Sequence, residues 1–95
     1  MRGRWRGPWI QGFLWDDENL EHVARHGVAA GEVEEILAGR PVVLRGRDDR
    51  YLVYGTSTEG RFLFVVCVRR GGGLVRPLTA RDMTEVEKRL YRRKQ

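Results

Sequence analysis

The sequence predicts a small α+β domain, with two helices before a strand meander and one helix after it. Three observations predict this. Apolar residues recur at three–four spacing between residues 16 and 38, strand-like runs follow between 42 and 79, and helical signals return at Thr84. The 95 residues suffice for one domain with a modest core. A chain this short does not enclose a large cofactor, so a shallow site on one face of the sheet is expected.

Residues 1–12 carry three Gly, one Pro, three Arg and two Trp without a period and read as a flexible basic tail. The domain is assigned to residues 13–95. Phe13–Trp15 reads as a short extended lead-in. Asp16 is a helix N-cap with acids in the turn behind it, and Leu20, Val23 and Ala24 form the expected apolar stripe. Gly27 ends the helix where a left-handed backbone is wanted, and Val28 is the apolar contact beyond it. A second helix spans Ala30–Ala38, burying Val33, Ile36 and Leu37, and is stopped by Gly39 and Pro41.

Val42–Arg45 is the first meander strand, Asp48–Asp49 the turn and Tyr51–Thr56 the second strand. Ser57–Gly60 reads as a hairpin loop with Gly60 left-handed. Arg61–Arg69 is apolar on both faces from Phe62 to Val68, the pattern of a central strand. After Gly71–Gly73, Leu74–Thr79 is the last strand. Pro77 cannot donate to a ladder, so this strand needs an edge or a bulge. Thr84 and Glu87 form a capping box for a final helix, Glu85–Arg93, with Val86 and Leu90 facing inward and Tyr91 beside them. The expectation is a twisted antiparallel sheet with its helices mainly on one face.

The net charge of +5 is unevenly spread: +3 over residues 1–12, −5 over 13–40 and +7 over 41–95. Sixteen Arg against two Lys point to phosphate recognition, because the guanidinium fork matches phosphate oxygens at two points. The alternative is that these arginines are solvated or bind an acidic partner. Cys67, the single cysteine, lies within an apolar run and reads as a core thiol, in keeping with a reducing, cytoplasmic setting. No apolar stretch is long enough to span a bilayer, and residues 1–11 lack the apolar middle of a signal peptide.

Several chemistries find no support. His22 and His26 share a helix face, but no further His or Cys pair completes a zinc site. Ser57 is the only serine and lies in a turn, and Gly71–Gly73 lacks the Lys and helix of a phosphate-cradling loop. Neither metal nor cofactor is expected. The remaining constellation is Arg61, Arg69, Arg76 and Arg81, some of which are expected to converge over the sheet. RNA brings its own nucleophile, the 2′-hydroxyl, so such a cluster needs only a base and an acid beside it. His26, Glu87 and Tyr91 are the candidates for proton transfer. Tyr51 or Tyr54 can stack an unpaired base, whereas Phe62 and Phe64 read as core.

The segments Phe13–Asn19, Ala24–Val28, Gly60–Val66 and Arg76–Tyr91 resemble the BrnT family of type II toxin–antitoxin ribonucleases. The resemblance runs over about Phe13–Tyr91 and is most specific in its last block. It implies a RelE-like fold, metal-independent RNA cleavage, and neutralisation by a cognate BrnA-type antitoxin that binds DNA. A homo-oligomer is compatible with it. It carries the basic motif positions onto Arg25, His26, Arg61, Arg76 and Arg81, with Glu87 and Tyr91 on the last helix. Arg61 and Arg81 rank first, then His26. Three departures stand out: Arg25 where Lys is usual, Ala29 where a Ser or Asp cap is common, and Pro77 in place of an apolar strand residue. The second reading is a non-catalytic RNA-binding or antitoxin-docking module of the same fold.

Overall fold

The computed structural model describes residues 9–95. The elements run β1 (Gly12–Phe13), α1 (Asp17–Arg25), α2 (Ala30–Ala38), β2 (Val42–Arg45), β3 (Arg50–Thr56), β4 (Phe62–Arg70), β5 (Leu74–Asp82) and α3 (Glu85–Lys94), with a short 3₁₀ turn at Gly71–Gly73. The five strands lie in the order β1-β5-β4-β3-β2. The meander β2–β5 is antiparallel, as expected. β1 pairs in parallel with β5, so the sheet is mixed and not wholly antiparallel. Two residues are too few to show a strand period, and that is why only an extended lead-in was legible. Of the tail, residues 1–8 lie outside the described residues. Trp9 and Ile10 pack against the core, and Gln11 donates its backbone N–H to Gly73 O at 2.8 Å.

The sheet has two unlike faces. α1 and α2 cover the first, where Val23, Val28, Val33, Ile36 and Leu37 meet Val43, Val53, Leu63, Val65, Cys67, Val75 and Ala80. Two of the three helices thus share one face, and α3 covers the second, where Tyr91 and Met83 meet Val42 and Tyr54, with Leu44, Leu52, Phe62 and Phe64 half-buried around them. The crossing from one face to the other is made by Asp82 and Met83: Met83 donates its N–H to Phe62 O at 3.0 Å and turns its side chain under α3.

Strand alternation alone does not fill the first face. Val66 pairs with Thr79 but Cys67 pairs with Pro77, leaving Leu78 as the extra residue of a bulge. The bulge reverses the parity of β5, so Val75 and Pro77 on one side of it and Ala80 on the other all point into the same core. It also accommodates Pro77, which has no N–H for the ladder. β5 runs on to Asp82, so Arg81 belongs to the strand and not to the approach to α3.

The expected faces of two helices change. Leu20 is 40% exposed and Ala24 is exposed, and in α1 Asn19 and Val23 are the buried residues. In α3, Val86 is 65% exposed and Leu90 is half-buried. The inward face is turned by one residue, to the i, i+4 pair Glu87 and Tyr91.

Asn19 is buried because four hydrogen bonds to three residues hold it there. Its Oδ1 accepts the Asp16 N–H at 2.8 Å while its own N–H donates to Asp16 Oδ1 at 3.1 Å, closing a capping box. Its Nδ2 donates to Leu14 O at 2.9 Å and to Pro77 O at 2.8 Å. The second bond supplies, from a side chain, the donor that β5 lacks beyond the reach of β1. Asn19→Ala strips both carbonyls of their donor and half the cap. It should lower unfolding stability by about 2–3 kcal/mol in urea titrations. Asn19→Asp, which sets a carboxylate against two carbonyls, should lower it further.

Candidate active site

Arg61 and Arg81 both reach the last residue of β5 from opposite faces of the sheet, and the site is built around that residue, Asp82. Arg61 precedes β4 and lies on the first face. Its Nε donates to Asp82 Oδ1 at 2.8 Å and its Nη2 to Asp82 Oδ2 at 3.2 Å. Its Nη1 donates to Gly27 O at 2.8 Å and to Glu32 Oε1 at 3.1 Å. All three guanidinium nitrogens are therefore engaged, by the α1–α2 corner, the first turn of α2 and the end of β5.

Arg81 lies on the second face, opposite Phe64 in the ladder. Nη1 and Nη2 hold Glu87 in a two-point pair, at 2.8 and 2.9 Å, and Nη1 also reaches Asp82 O at 3.0 Å. The guanidinium carbon stands 4.5 Å from the centre of the Phe64 ring, which in turn packs on Tyr54 at 5.0 Å. Lys88 and Arg92 approach Phe62 at 5.6 and 5.2 Å, so further cations line this face.

The two arginines use one device twice. Glu32 Oε1 accepts the Ala29 N–H at 3.0 Å as well as Arg61, and Glu87 Oε1 accepts the Thr84 N–H at 2.9 Å as well as Arg81. Each glutamate closes the first turn of its helix and holds an arginine from the sheet. At α2 only this half of the box forms, because the N-cap is Ala29 and offers no acceptor. At α3 the reciprocal bond, Glu87 N–H to Thr84 Oγ1, is present at 3.1 Å.

The local charge differs sharply between them. Arg61 faces two carboxylates and Arg81 faces one. Arg61 holds the Asp82 carboxyl below the ordinary aspartate value of 3.8, and Arg81 holds Glu87 below the ordinary glutamate value of 4.5. Burial, with Glu87 nearby, pushes the Tyr54 hydroxyl up, so it stays protonated at neutral pH. Cys67 is sealed in the core and pushed up to about 12 by burial, which makes it an inert thiol.

The other expected site residues are dispersed. Arg76 lies on the second face by register, but near the opposite end of β5, and reaches Asp16 at 2.8 Å and Glu18 at 3.8 Å. Arg69 stacks on Trp9 at 4.3 Å. Tyr51 is half-buried, packs against the first core and carries Arg45 over its ring at 4.9 Å. Tyr91 is buried under α3, where its hydroxyl accepts from Thr56 Oγ1 at 3.0 Å and its ring meets Phe62 edge-on. Arg25 and His26 are exposed at the end of α1, with His26 stacked on His22 at 6.3 Å between ring centres. The four arginines thus do not share one place. Arg61 and Arg81 meet through Asp82, with Glu87 beside Arg81 and His26 next to Gly27, while Arg69 and Arg76 sit away from them. Sequence reasoning missed Asp82 and Glu32. Only the strand register, which sets Asp82 opposite Leu63, could have pointed to the first.

A family model described as the ribonuclease toxin BrnT of type II toxin–antitoxin systems matches residues 15–87. The chain belongs to this family. Those residues take in α1 through the first turn of α3, and hence every residue of the Asp82 cluster. Among solved structures, the crystal structure of the Brucella abortus ribonuclease toxin BrnT shares the fold, with a TM-score of 0.64 at 18% identity. The match covers 78% of this chain and 97% of that one. No curated protein matches the chain. No helix among the described residues is long and apolar enough to cross a membrane.

The paired carboxylates give the fold a pH signature. Asp16, Asp82 and Glu87 all titrate below their ordinary values because Arg76, Arg61 and Arg81 bind their charged forms. A folded value below the unfolded one contributes stability above the unfolded value, and that stability is lost as pH falls through the folded value. The melting temperature should therefore hold steady on this account from pH 7 to about 5 and fall below about pH 4. Glu87→Gln or Asp82→Asn should make the acid limb shallower in thermal melts across that range.

Proposed function

We propose that this chain is an endoribonuclease toxin that cleaves RNA through its 2′-hydroxyl, without a metal ion, and is neutralised in the cytoplasm by a cognate antitoxin of the BrnA type. The observation that carries the reading is the Arg81–Glu87 pair on a cation-lined aromatic face, in a chain of the ribonuclease toxin family.

The carboxylate of Glu87 occupies the fork of Arg81 in the two-point geometry that a phosphate would use. An RNA phosphate entering that fork takes over the guanidinium and releases a carboxylate that is already ionised. Glu87 then accepts the proton of the adjacent 2′-hydroxyl as its oxygen attacks phosphorus. Arg81 neutralises the charge that gathers on the non-bridging oxygens. The bond to the 5′-oxygen breaks, and that oxygen takes a proton from an acid, for which His26 is the exposed candidate. The products are a 2′,3′-cyclic phosphate and a 5′-hydroxyl. Tyr54 and Phe64 form the apolar floor under Arg81 and limit water around it.

The test is cleavage of a defined RNA by the purified chain in the presence of a chelator. Wild type should give fragments ending in 2′,3′-cyclic phosphate. Arg81→Ala should lower kcat/KM by about 10²-fold or more, and Glu87→Gln by about 10²-fold, both with circular dichroism unchanged. The acid limb of the pH profile of kcat/KM, which reports the free enzyme, should lie below the ordinary glutamate value of 4.5, since Arg81 holds Glu87 ionised before RNA enters. Fragments that vanish with chelator, or full activity in Arg81→Ala, would rule the mechanism out. Salt-sensitive RNA binding with no cleavage would favour the non-catalytic module.

A further inference from the structure

We infer that Arg61 is a positioning residue, clamped between Glu32 and Asp82 to fix the α1–α2 corner that carries Arg25 and His26, and that it does not bind the phosphate. The role given to His26 rests on the ribonuclease reading above; the clamp itself does not.

A guanidinium has five N–H groups, and four of those of Arg61 are taken by Asp82 (two), Gly27 O and Glu32. Two carboxylates offset the charge of Arg61 and fill its fork, so it has less to offer a phosphate than Arg81. Arg81 differs on both counts: one carboxylate faces it, and its Nε carries no hydrogen bond among those described.

What the clamp holds is a short, exposed bend. Gly27 takes a φ of +72° between the last turn of α1 and the buried Val28. The other hydrogen bonds described for residues 26–29 stay within the two helices and their caps. The bond from Arg61 to Gly27 O ties the bend to the end of the sheet. Glu32 contributes from both sides, capping Ala29 while it holds Arg61. Asp82 fixes the other edge of the fork, one residue from Arg81. The clamp therefore sets the spacing between the histidine-bearing bend and the Arg81 face. A positively charged side chain alone would not do this, because the task needs the planar fork.

The experiment compares wild type with Arg61→Ala, Arg61→Lys, Asp82→Asn and Arg81→Ala in three measurements: the salt dependence of binding to a single-stranded RNA, kcat and KM for its cleavage, and the NMR resonances of the His26 ring. Each phosphate contact adds about 0.7 to the slope of log K against log salt for a single strand. Arg61→Ala and Asp82→Asn should leave that slope at the wild-type value, lower kcat at least tenfold with little change in KM, and shift His26. Arg81→Ala should reduce the slope by about 0.7. Arg61→Lys, which keeps the charge but not the fork, should behave like Arg61→Ala. A slope reduced by about 0.7 in Arg61→Ala overturns the inference and makes Arg61 a phosphate ligand. So does an unmoved His26 resonance in Arg61→Ala and Asp82→Asn. Should Arg61→Ala fail to fold, Asp82→Asn and Arg61→Lys decide on the same readouts. Failure of wild type to bind or cleave RNA would instead bring down the ribonuclease reading, and the His26 resonances would still judge the clamp.

Discussion

The side-chain amide of Asn19 ties together the end of β1, the first turn of α1, and the stretch of β5 that has run past its parallel neighbour. A strand edge with unmet carbonyls is a costly thing to bury. Here it is met by a helix, which lies along the edge instead of simply resting on a face. Everything at the far end of the sheet follows from that placement. Once Val23 and Val28 are seated on the first face, the α1–α2 bend falls beside the start of β4, and Gly27 comes within reach of Arg61.

The bulge at Leu78 is the second constraint. It keeps one core face continuous across an odd number of residues, and in doing so it sets Arg81 toward α3 and Asp82 toward α2. Two adjacent residues thus serve opposite sides of the sheet. The result is a chain of hydrogen bonds running from the bend through Arg61, Asp82 and Arg81 to Glu87. It has a saturated, acid-rich half on one face and a more open, cation-lined half on the other.

Much of this could be read from the residues, because the signals were local. Asp16, Gly27, Gly60 and the Thr84–Glu87 box announce their own turns and caps, and α2 occupies its expected span with its expected buried residues. What escaped the sequence was set by tertiary geometry. Val86 and Leu90 look like the apolar face of the last helix. The surface α3 meets, however, holds Phe62, Tyr54 and Arg81, which accept Tyr91 and Glu87. A meander shows its strands but not which side a following helix takes, so the face of α3 was not legible. The arginines were legible as a class and not as a site, because their partners are acids remote in sequence: Asp16 for Arg76, Glu32 and Asp82 for Arg61.

The doubled glutamate device has a bearing on how such a chain can drift over generations. Glu32 and Glu87 each answer to a helix start and to an arginine, so a mutation at either is felt in two places together. Loss of the arginine leaves a glutamate still needed by its helix, whereas loss of the glutamate harms both. The acids should therefore be the slower to change of each couple, and the arginines the ones free to be traded when a lineage abandons toxicity but keeps its fold.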